Sequence, residues 1–305
     1  MASYGSRRSS LAGVPRQLFT DGRVRRVFLT NLGTAFGGVS AAFQFVGQMY
    51  PPALPESLRL TAASAGACVL WGLWRARPGA AVRHVFGHPD ITVVVAEGDL
   101  FDEPGHLVIG FCDTFDTSAD DGVVVNESSV QGQLPARRYD GDVQRLDREL
   151  DRALRGVAPA ATETRALKPR GKLRRYPMGT VAVLGTRPQL VFAVAYSRLS
   201  NEYVANSTAE DLWFSLNRLW DAVYRHGQLE AVSMPLIGAG LSRVGSLDEE
   251  SLLRLVLLSF VTRSRERRIC RELHVVLRPA DLERIDIPEV EAFLGALDSA
   301  PRNQP

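Results

Sequence analysis

The sequence predicts an α/β domain, a mixed sheet sandwiched by helices, that follows a pair of hydrophobic N-terminal helices. Short β-branched runs alternate with helical segments after residue 90, a pattern typical of a sheet covered on both faces. Two runs without charged residues precede them. The chain has 305 residues, of which 45% are hydrophobic, so it can bury a large core. Its net charge of +2 gives no reason to expect nucleic-acid binding.

The first 78 residues fall into two parts. Residues 1–24 are rich in Ser, Gly and Arg and predict a flexible cytosolic tail. The first uncharged run, Val27–Tyr50, has 24 residues, more than the roughly 20 that cross a bilayer as a helix. The second, Leu60–Trp74, has only 15 residues. Interfacial Trp71 and Trp74, with flanking arginines, can extend its reach across the hydrocarbon core.

The flanking charges predict an orientation. Several arginines lie before the first run and after the second, whereas Glu56 and Arg59 are the only charged residues in the link between the runs. By the positive-inside rule, both ends stay in the cytosol. We therefore expect a two-helix transmembrane hairpin over residues 25–78. A buried helical hairpin and a signal peptide before a secreted domain are the alternatives, although no small-x-small cleavage site directly follows the first run.

The α/β domain is expected over residues 85–298. Two of its helices have the Ser-x-x-Glu spacing of a capping box, Ser207 with Glu210 and Ser246 with Glu249. Residues 157–175 are rich in Pro and Arg and predict a long loop. Strands are predicted at 91–97, 106–111, 122–126, 181–185, 190–196, 231–237 and 273–279, and helices at 142–155, 208–226, 247–264 and 288–296.

Three turns between these elements are candidate ligand sites, because backbone amides are free where strands end and helices begin. They are EGDLF at 97–101, GFCDTFDTSADDG at 110–122 and GAGLSRVG at 238–245. The last turn lacks the Gly-Lys-Ser/Thr of a Walker A loop. It is no nucleophile elbow either, because Val244 stands where a glycine is needed.

The glycine turn predicts an anion site. Its free amides can hold a diphosphate without a catalytic lysine. Acidic residues at 248–250 open the following helix and repel an anion, so the diphosphate is expected over 238–242, with Arg243 as a counter-charge. A plain strand-to-helix turn is the alternative.

Cysteine and histidine positions predict neither a metal site nor a catalytic thiol. The three cysteines are far apart, without the spacing of a disulfide framework or a zinc site. His84 and His88 have the spacing of two helical ligands, but no third ligand completes a set. No histidine is placed beside Cys112 by the sequence, so no catalytic residue is assigned.

Several motifs resemble one known family. Gly-Asp-Leu follows the first strand, and GFCDTFDT, VVVNESSVQGQ (123–133), YPMGTVAVL (176–184) and MPLIGAGLSRVG (234–245) follow in order. Together with the paired hydrophobic runs, they resemble the membrane-anchored macro-domain effectors of type II Thoeris anti-phage defence. The likeness spans about residues 25–280. It implies that the α/β domain has a macro-like fold.

The resemblance also implies which residues bind a ligand, an ADP-ribose-derived signalling nucleotide. Asp99 matches the family's acid that accepts a hydrogen bond from the adenine amino group. The diphosphate and distal ribose are expected on Gly238, Ala239, Gly240, Leu241 and Ser242, beside Arg243. Ribose hydroxyls or a basic conjugated group are expected against the second loop, on Asp113, Thr114, Phe115, Asp116 and Thr117.

The implied function is that of a receptor and not of an enzyme. The family's Asn-Ala-Ala-Asn and triple-glycine stretches are missing here, which favours recognition over ADP-ribosyl hydrolysis. A partner Toll/interleukin-receptor (TIR) domain enzyme is implied to consume NAD and release the signal, histidine-ADP-ribose for this branch. Binding is implied to drive homo-oligomerisation, disruption of the bacterial inner membrane and abortive infection. No cofactor and no nucleic acid take part. A membrane-tethered ADP-ribosyl hydrolase and a passive ADP-ribose reader are the alternatives.

Overall fold

The computed structural model of the chain describes residues 80–119, 122–240 and 247–299. The expected tail at 1–24 and hairpin at 25–78 lie outside these residues. Within the three described ranges, no helix combines the length and apolar character needed to cross a membrane.

The described residues form ten strands and six α-helices. The strands are β1 (Ala80–Phe86), β2 (Ile91–Glu97), β3 (His106–Cys112), β4 (Ala161–Thr162), β5 (Arg174–Arg175), β6 (Val181–Thr186), β7 (Gln189–Leu199), β8 (Ala205–Asn206), β9 (Val232–Pro235) and β10 (Glu272–Leu277). The helices are α1 (Val130–Arg138), α2 (Val143–Leu154), α3 (Ala209–His226), α4 (Glu249–Glu266), α5 (Pro279–Leu282) and α6 (Ile287–Ser299).

The main sheet has the strand order β1-β2-β10-β9-β3-β7-β6, and β8 pairs with β7. Its five inner strands, β2, β10, β9, β3 and β7, are parallel. The outer strands β1 and β6 are antiparallel to their neighbours. The carboxyl ends of five strands therefore meet at one edge of the sheet, which is where open α/β sheets bind ligands.

Hydrophobic cores lie on both faces of the sheet, as the predicted sandwich requires. On β3, Leu107, Ile109 and Phe111 belong to the core that α1 and α2 cover, whereas Val108 belongs to the opposite core. This alternation is the period of two that a strand imposes on its side chains. The second core is closed by α3, α4 and α6, where the rings of Trp220 and Phe260 pack edge to face at 5.2 Å.

Most predicted elements are confirmed. All four predicted helices are present with small shifts at their ends, and six of the seven predicted strands are present. The strand predicted at 122–126 is wrong, because this segment forms bends without ladder partners. Its valines line a cavity and are not part of the sheet. A β-branched run does not by itself distinguish these two environments.

Six of the described elements were not predicted from the sequence: the strands β1, β4, β5 and β8 and the helices α1 and α5. Strand β1 begins at Ala80, before the expected domain start at 85. Helix α1 contains Gly132 and Pro135, which are poor helix formers and hide its helical character. The predicted long loop at 157–175 contains the two-stranded ribbon β4-β5.

Both N-cap predictions, Ser207 and Ser246, were wrong, because each observed N-cap lies one or two residues later in the chain. The N-cap of α3 is Thr208, whose hydroxyl accepts a hydrogen bond from the Asp211 amide, and Ser207 instead donates to the carbonyl of Tyr196. The N-cap of α4 is Asp248, which accepts from the Ser251 amide. The polar residue nearest the first helical turn takes the cap because its side chain reaches the free amides.

A partly buried cluster of charges joins β10 to the turn before β3. His274 Nδ1 lies 3.0 Å from Glu103 Oε2, and its Nε2 lies 2.8 Å from Glu272 Oε1. Burial alone would lower the pKa of His274, but the hydrogen bonds to both carboxylates and their negative charges raise this pKa to about 9. The protonated imidazolium therefore stabilises the folded domain.

We expect the stability of the domain to fall as pH rises from the unfolded histidine pKa of about 6.5 toward the folded value. The stabilisation is complete below the unfolded pKa and is lost through the folded pKa of about 9. It amounts to roughly 3 kcal/mol at most. Thermal unfolding of the full-length chain across this pH window measures it. His274→Gln should flatten the dependence, and an unchanged slope in this variant would contradict the assignment.

Candidate functional site

A cleft of about 690 Å³ lies along the carboxyl edge of the parallel strands. Each inner strand contributes the residues at or just beyond its end: Gly98 and Asp99 after β2, Arg278 after β10, Leu236–Gly238 after β9, Cys112 on β3 and Leu199 on β7. Its volume falls within the range of small-molecule sites. From β2 to β7 the cleft crosses four strand spacings, or about 19 Å at ~4.8 Å each. A ligand that fills it must be elongated.

Asp99 lies at the β2 end of the cleft, where the sequence analysis expected a ligand-binding acid. Its Oδ1 accepts from the amide of Phe101, 2.9 Å away, and so caps a short 3₁₀ turn. Its Oδ2 is 2.9 Å from the Arg137 guanidinium, which also reaches Asp102. The Asp99 side chain keeps 41% of its surface exposed. The carboxylate is therefore held in place on one side and open to the cleft.

The glycine turn lies in the middle of the strand order, after β9. Gly238 has φ +92, a left-handed conformation that favours glycine, and lines the cleft together with Gly240. Ala239 instead packs against the core shared with α3 and α4. The remaining predicted contacts of this turn, Leu241, Ser242 and Arg243, lie outside the described residues.

The start of α1 supplies backbone amides that the sequence analysis missed. Ser129 caps the helix by accepting from the Gly132 amide at 3.0 Å, while the amides of Val130 and Gln131, at the first two helical positions, have no acceptor within the helix. Gly132 is required here, because a Cβ would lie 2.2 Å from the Asn126 carbonyl. The sequence signal for this helix start was Ser129, a residue type that favours the N-cap position. The valines at 123–125, which favour a strand, obscured it.

The floor of the cleft carries an aromatic ring and a thiol. Gly110 lets the Tyr196 ring lie against β3, since a Cβ at Gly110 would be 2.5 Å from the ring. Cys112 is buried, and burial raises its pKa to about 11, although a hydrogen bond from Ser197 opposes the shift. The thiol is therefore protonated at neutral pH and is a poor nucleophile.

The second loop does not present its predicted contacts to the cleft. Asp113, Thr114, Phe115, Asp116 and Thr117 are all buried, and none of these five described residues is among those that line the cleft. Asp113 accepts from Arg175 and from the Leu199 amide, and Thr117 donates to Asp147 at 2.7 Å. Phe115 packs between Phe111 and Tyr176. These side chains hold the loop, and the sequence alone could not distinguish such partners from a ligand.

Asp116 is the centre of this loop. One oxygen accepts from the Thr114 hydroxyl at 2.6 Å and from Lys168 Nζ at 3.0 Å, and the other accepts from the Lys172 amide. Lys168 is fully buried. Lys168 and Lys172 are the only two lysines in a chain that otherwise uses arginine. A compact ammonium on a flexible stem fits this enclosed position, where a planar guanidinium would need more space.

We expect Lys168→Met to destabilise the domain by roughly 3–5 kcal/mol, because it leaves the Asp116 charge buried without its cation. Lys172→Met is the matched control, since the Lys172 ammonium is partly exposed and its ion pair with Asp147 is worth about 1 kcal/mol or less. Chemical denaturation of the full-length variants measures both. Equal and small effects would show that the buried pair does not hold the loop.

The chain is similar to proteins of one family. The family described as "Thoeris protein ThsA, Macro domain" matches residues 93–278, more than half of the chain. The Thoeris protein ThsA of Bacillus amyloliquefaciens (strain Y2) is 26% identical over 206 residues, which cover 66% of this chain and 67% of that protein.

Solved structures with a similar fold include two of the Oceanobacillus iheyensis macrodomain. A mutant form has a TM-score of 0.48 at 13% identity, covering 72% of this chain and 94% of that one. The form with ADP has a TM-score of 0.44 at 16% identity, covering 69% and 94%. On the family match, the chain belongs to the Thoeris ThsA proteins, and residues 93–278 are their macro domain.

Proposed function

We propose that this chain is the receptor and effector of a Thoeris system and that its macro domain binds an ADP-ribose-derived nucleotide. The observation that carries the proposal is the composition of the cleft. A partly exposed carboxylate, Asp99, stands at one end, and the glycine turn and the first turn of α1, whose backbone amides can serve as anion donors, line the same cleft. These groups match a ligand with an amino-bearing base and a diphosphate.

At the β2 end, Asp99 selects the base. A carboxylate accepts hydrogen bonds and cannot donate them, so it favours the exocyclic amino group of adenine over a carbonyl. Arg137 and the Phe101 amide fix the carboxylate before the ligand arrives, which lowers the entropic cost of binding.

The diphosphate is assigned to the amides of Gly238–Gly240 and of the first turn of α1. Helix N-termini and glycine turns bind anions because their amides lack other acceptors and carry a partial positive charge. Among the described residues that line the cleft, the only cation is Arg278, and Asp281 holds it through two hydrogen bonds of 2.8 Å. Neutral amides therefore carry most of the anion binding.

Recognition without turnover is the proposed mode. The Cys112 thiol is buried and protonated, and the carboxylates of Asp113 and Asp116 are occupied by Arg175 and Lys168. Within residues 110–119 and 122, the described part of the second loop, these groups are therefore not available as the acid, base or nucleophile that hydrolysis needs. An ADP-ribosylated substrate consumed by the purified chain would contradict this mode.

The remainder of the proposal follows from family membership and from the resemblance. A partner TIR-domain enzyme makes the signal, histidine-ADP-ribose, and this chain binds it in the cytosol. Binding drives the assembly of several copies, and the N-terminal hairpin disrupts the inner membrane. For such gating the ligand must bind the assembled state more tightly than the resting state.

We expect Asp99→Ala to lower the affinity for ADP-ribose conjugates at least tenfold, because one charge-assisted hydrogen bond is worth roughly 1.5–3 kcal/mol. Isothermal titration calorimetry on the full-length chain in detergent measures this. Asp102→Ala is the matched control, since Asp102 contacts the same Arg137 but does not line the cleft. Wild-type protein that binds no adenine diphosphate-ribose compound at high micromolar concentration would refute the proposal.

We expect deletion of residues 1–76 to abolish the arrest of infected cells and to leave ligand binding intact. The reason is that the predicted hairpin acts on the membrane and the macro domain only senses the signal. Growth of phage-infected cells with and without the deletion measures the first effect. Arrest that persists after the deletion would contradict the effector role, and a passive reader would change only its location in the cell.

A further inference from the structure

The two ends of the cleft differ in chemistry. The β2 end has charged side chains, Asp99, Arg278 and Asp281. The β7 end, in the part of the chain that is described, is lined by the uncharged side chains of Tyr203, Val204 and Ala205, which follow β7. Because these side chains carry no positive charge, the surface can pack against a neutral ring but cannot neutralise a phosphate.

Tyr203 lies in a strained and tightly bonded turn at the β7 end. Its φ is +65, which is unusual for a bulky residue and is found mainly where the surroundings impose it. Its amide donates to the Ser200 carbonyl at 3.0 Å, and the Ser200 amide donates to the Val204 carbonyl at 2.9 Å. These bonds fix the backbone of the turn, and Tyr203 lines the cleft.

The segment at 170–175 contacts this turn on the side away from the cleft. The Arg170 amide donates to the Tyr203 hydroxyl at 2.8 Å, and Arg175 donates to Asn201 Oδ1 at 2.8 Å. Arg170 follows directly after the segment that Lys168 anchors to Asp116. Gly171, at φ +72, lies so close to Asp116 that a Cβ would be 2.6 Å from its carboxylate.

The buried ion pair of Lys168 with Asp116 is therefore the main anchor of the loop that positions Tyr203. Lys172 adds to the anchor through the Phe115 carbonyl at 2.8 Å. The same network reaches the cleft at a second point, because Gln131 donates to the Asp116 carbonyl at 2.7 Å and lines the cleft. A strained aromatic residue supported by a buried ion pair is expensive to maintain, which points to a role in binding.

We propose that Tyr203 is the specificity-determining residue of the β7 end and that its ring packs against the sugar ring beyond the diphosphate. The inference rests on the proposed function and assigns the end of the ligand opposite the base. Tyr203 would let the site distinguish adenine nucleotides that carry a terminal pentose from those that stop at the diphosphate. Arg170 is a positioning residue in this scheme, since it acts through its hydrogen bond to Tyr203.

The test compares ADP-ribose with ADP, which lacks the terminal pentose. We expect Tyr203→Ala in the full-length chain in detergent to weaken ADP-ribose binding at least tenfold and to change ADP binding less than twofold. Tyr203→Phe keeps the ring and should retain at least a third of the ADP-ribose affinity. Tyr224→Ala is the matched control, because Tyr224 is an exposed tyrosine on α3 that does not line the cleft.

The other possible results of these measurements would contradict either the assignment of Tyr203 or the proposed function. Loss of affinity for both nucleotides, or for neither, in Tyr203→Ala would overturn the assignment while leaving the proposed function in place. An equal loss in Tyr203→Phe and Tyr203→Ala would show that binding depends on the hydroxyl and would overturn the role of the ring. Asp99→Ala should weaken both nucleotides. A wild-type chain that binds neither nucleotide would refute the proposed function, and this inference with it.

Discussion

The parallel alignment of five strands is the constraint on which the rest of this structure depends. Because β2, β10, β9, β3 and β7 run in one direction, their carboxyl ends must share an edge. Segments that are far apart in the chain, from Gly98 to Arg278, become the walls of one cleft. The strand spacing then sets the length of the cleft, and the order of the strands sets which chemistry lies at each end.

Charge is used in two different ways around this edge. The buried charges are paired inside the protein, Asp116 with the buried Lys168 and Asp113 with the partly buried Arg175. Such pairs hold loops in place and are unavailable to a ligand, because breaking one would leave an uncompensated buried charge. The cleft itself relies on a partly exposed carboxylate and on backbone amides. The described acidic residues of the second loop, Asp113 and Asp116, thus hold the loop in place and do not line the cleft.

Glycines determine how closely the backbone and aromatic rings approach one another at the site. Gly132 lets α1 start beside the Asn126 carbonyl, and Gly110 leaves space for the Tyr196 ring. In both places a Cβ would overlap with atoms that form the wall of the cleft. The shape of the cleft therefore depends on two residues that have no side chain to contribute.

The sequence by itself determined the α/β fold class, six of the main strands, the four long helices, and the position of Asp99 and of the glycine turn at the ends of strands. Those features come from local periodicity and from short motifs, which reflect interactions between residues near one another in the chain. The predicted N-terminal hairpin and the contacts of residues 241–243 stay predictions. Only the tertiary structure showed that Asp113–Thr117 face inward and that Tyr196, Tyr203 and the start of α1 line the cleft. Their roles depend on partners such as Arg175, Lys168 and Arg170, which lie 30 or more residues away in the chain, and local pattern carries no information about such partners.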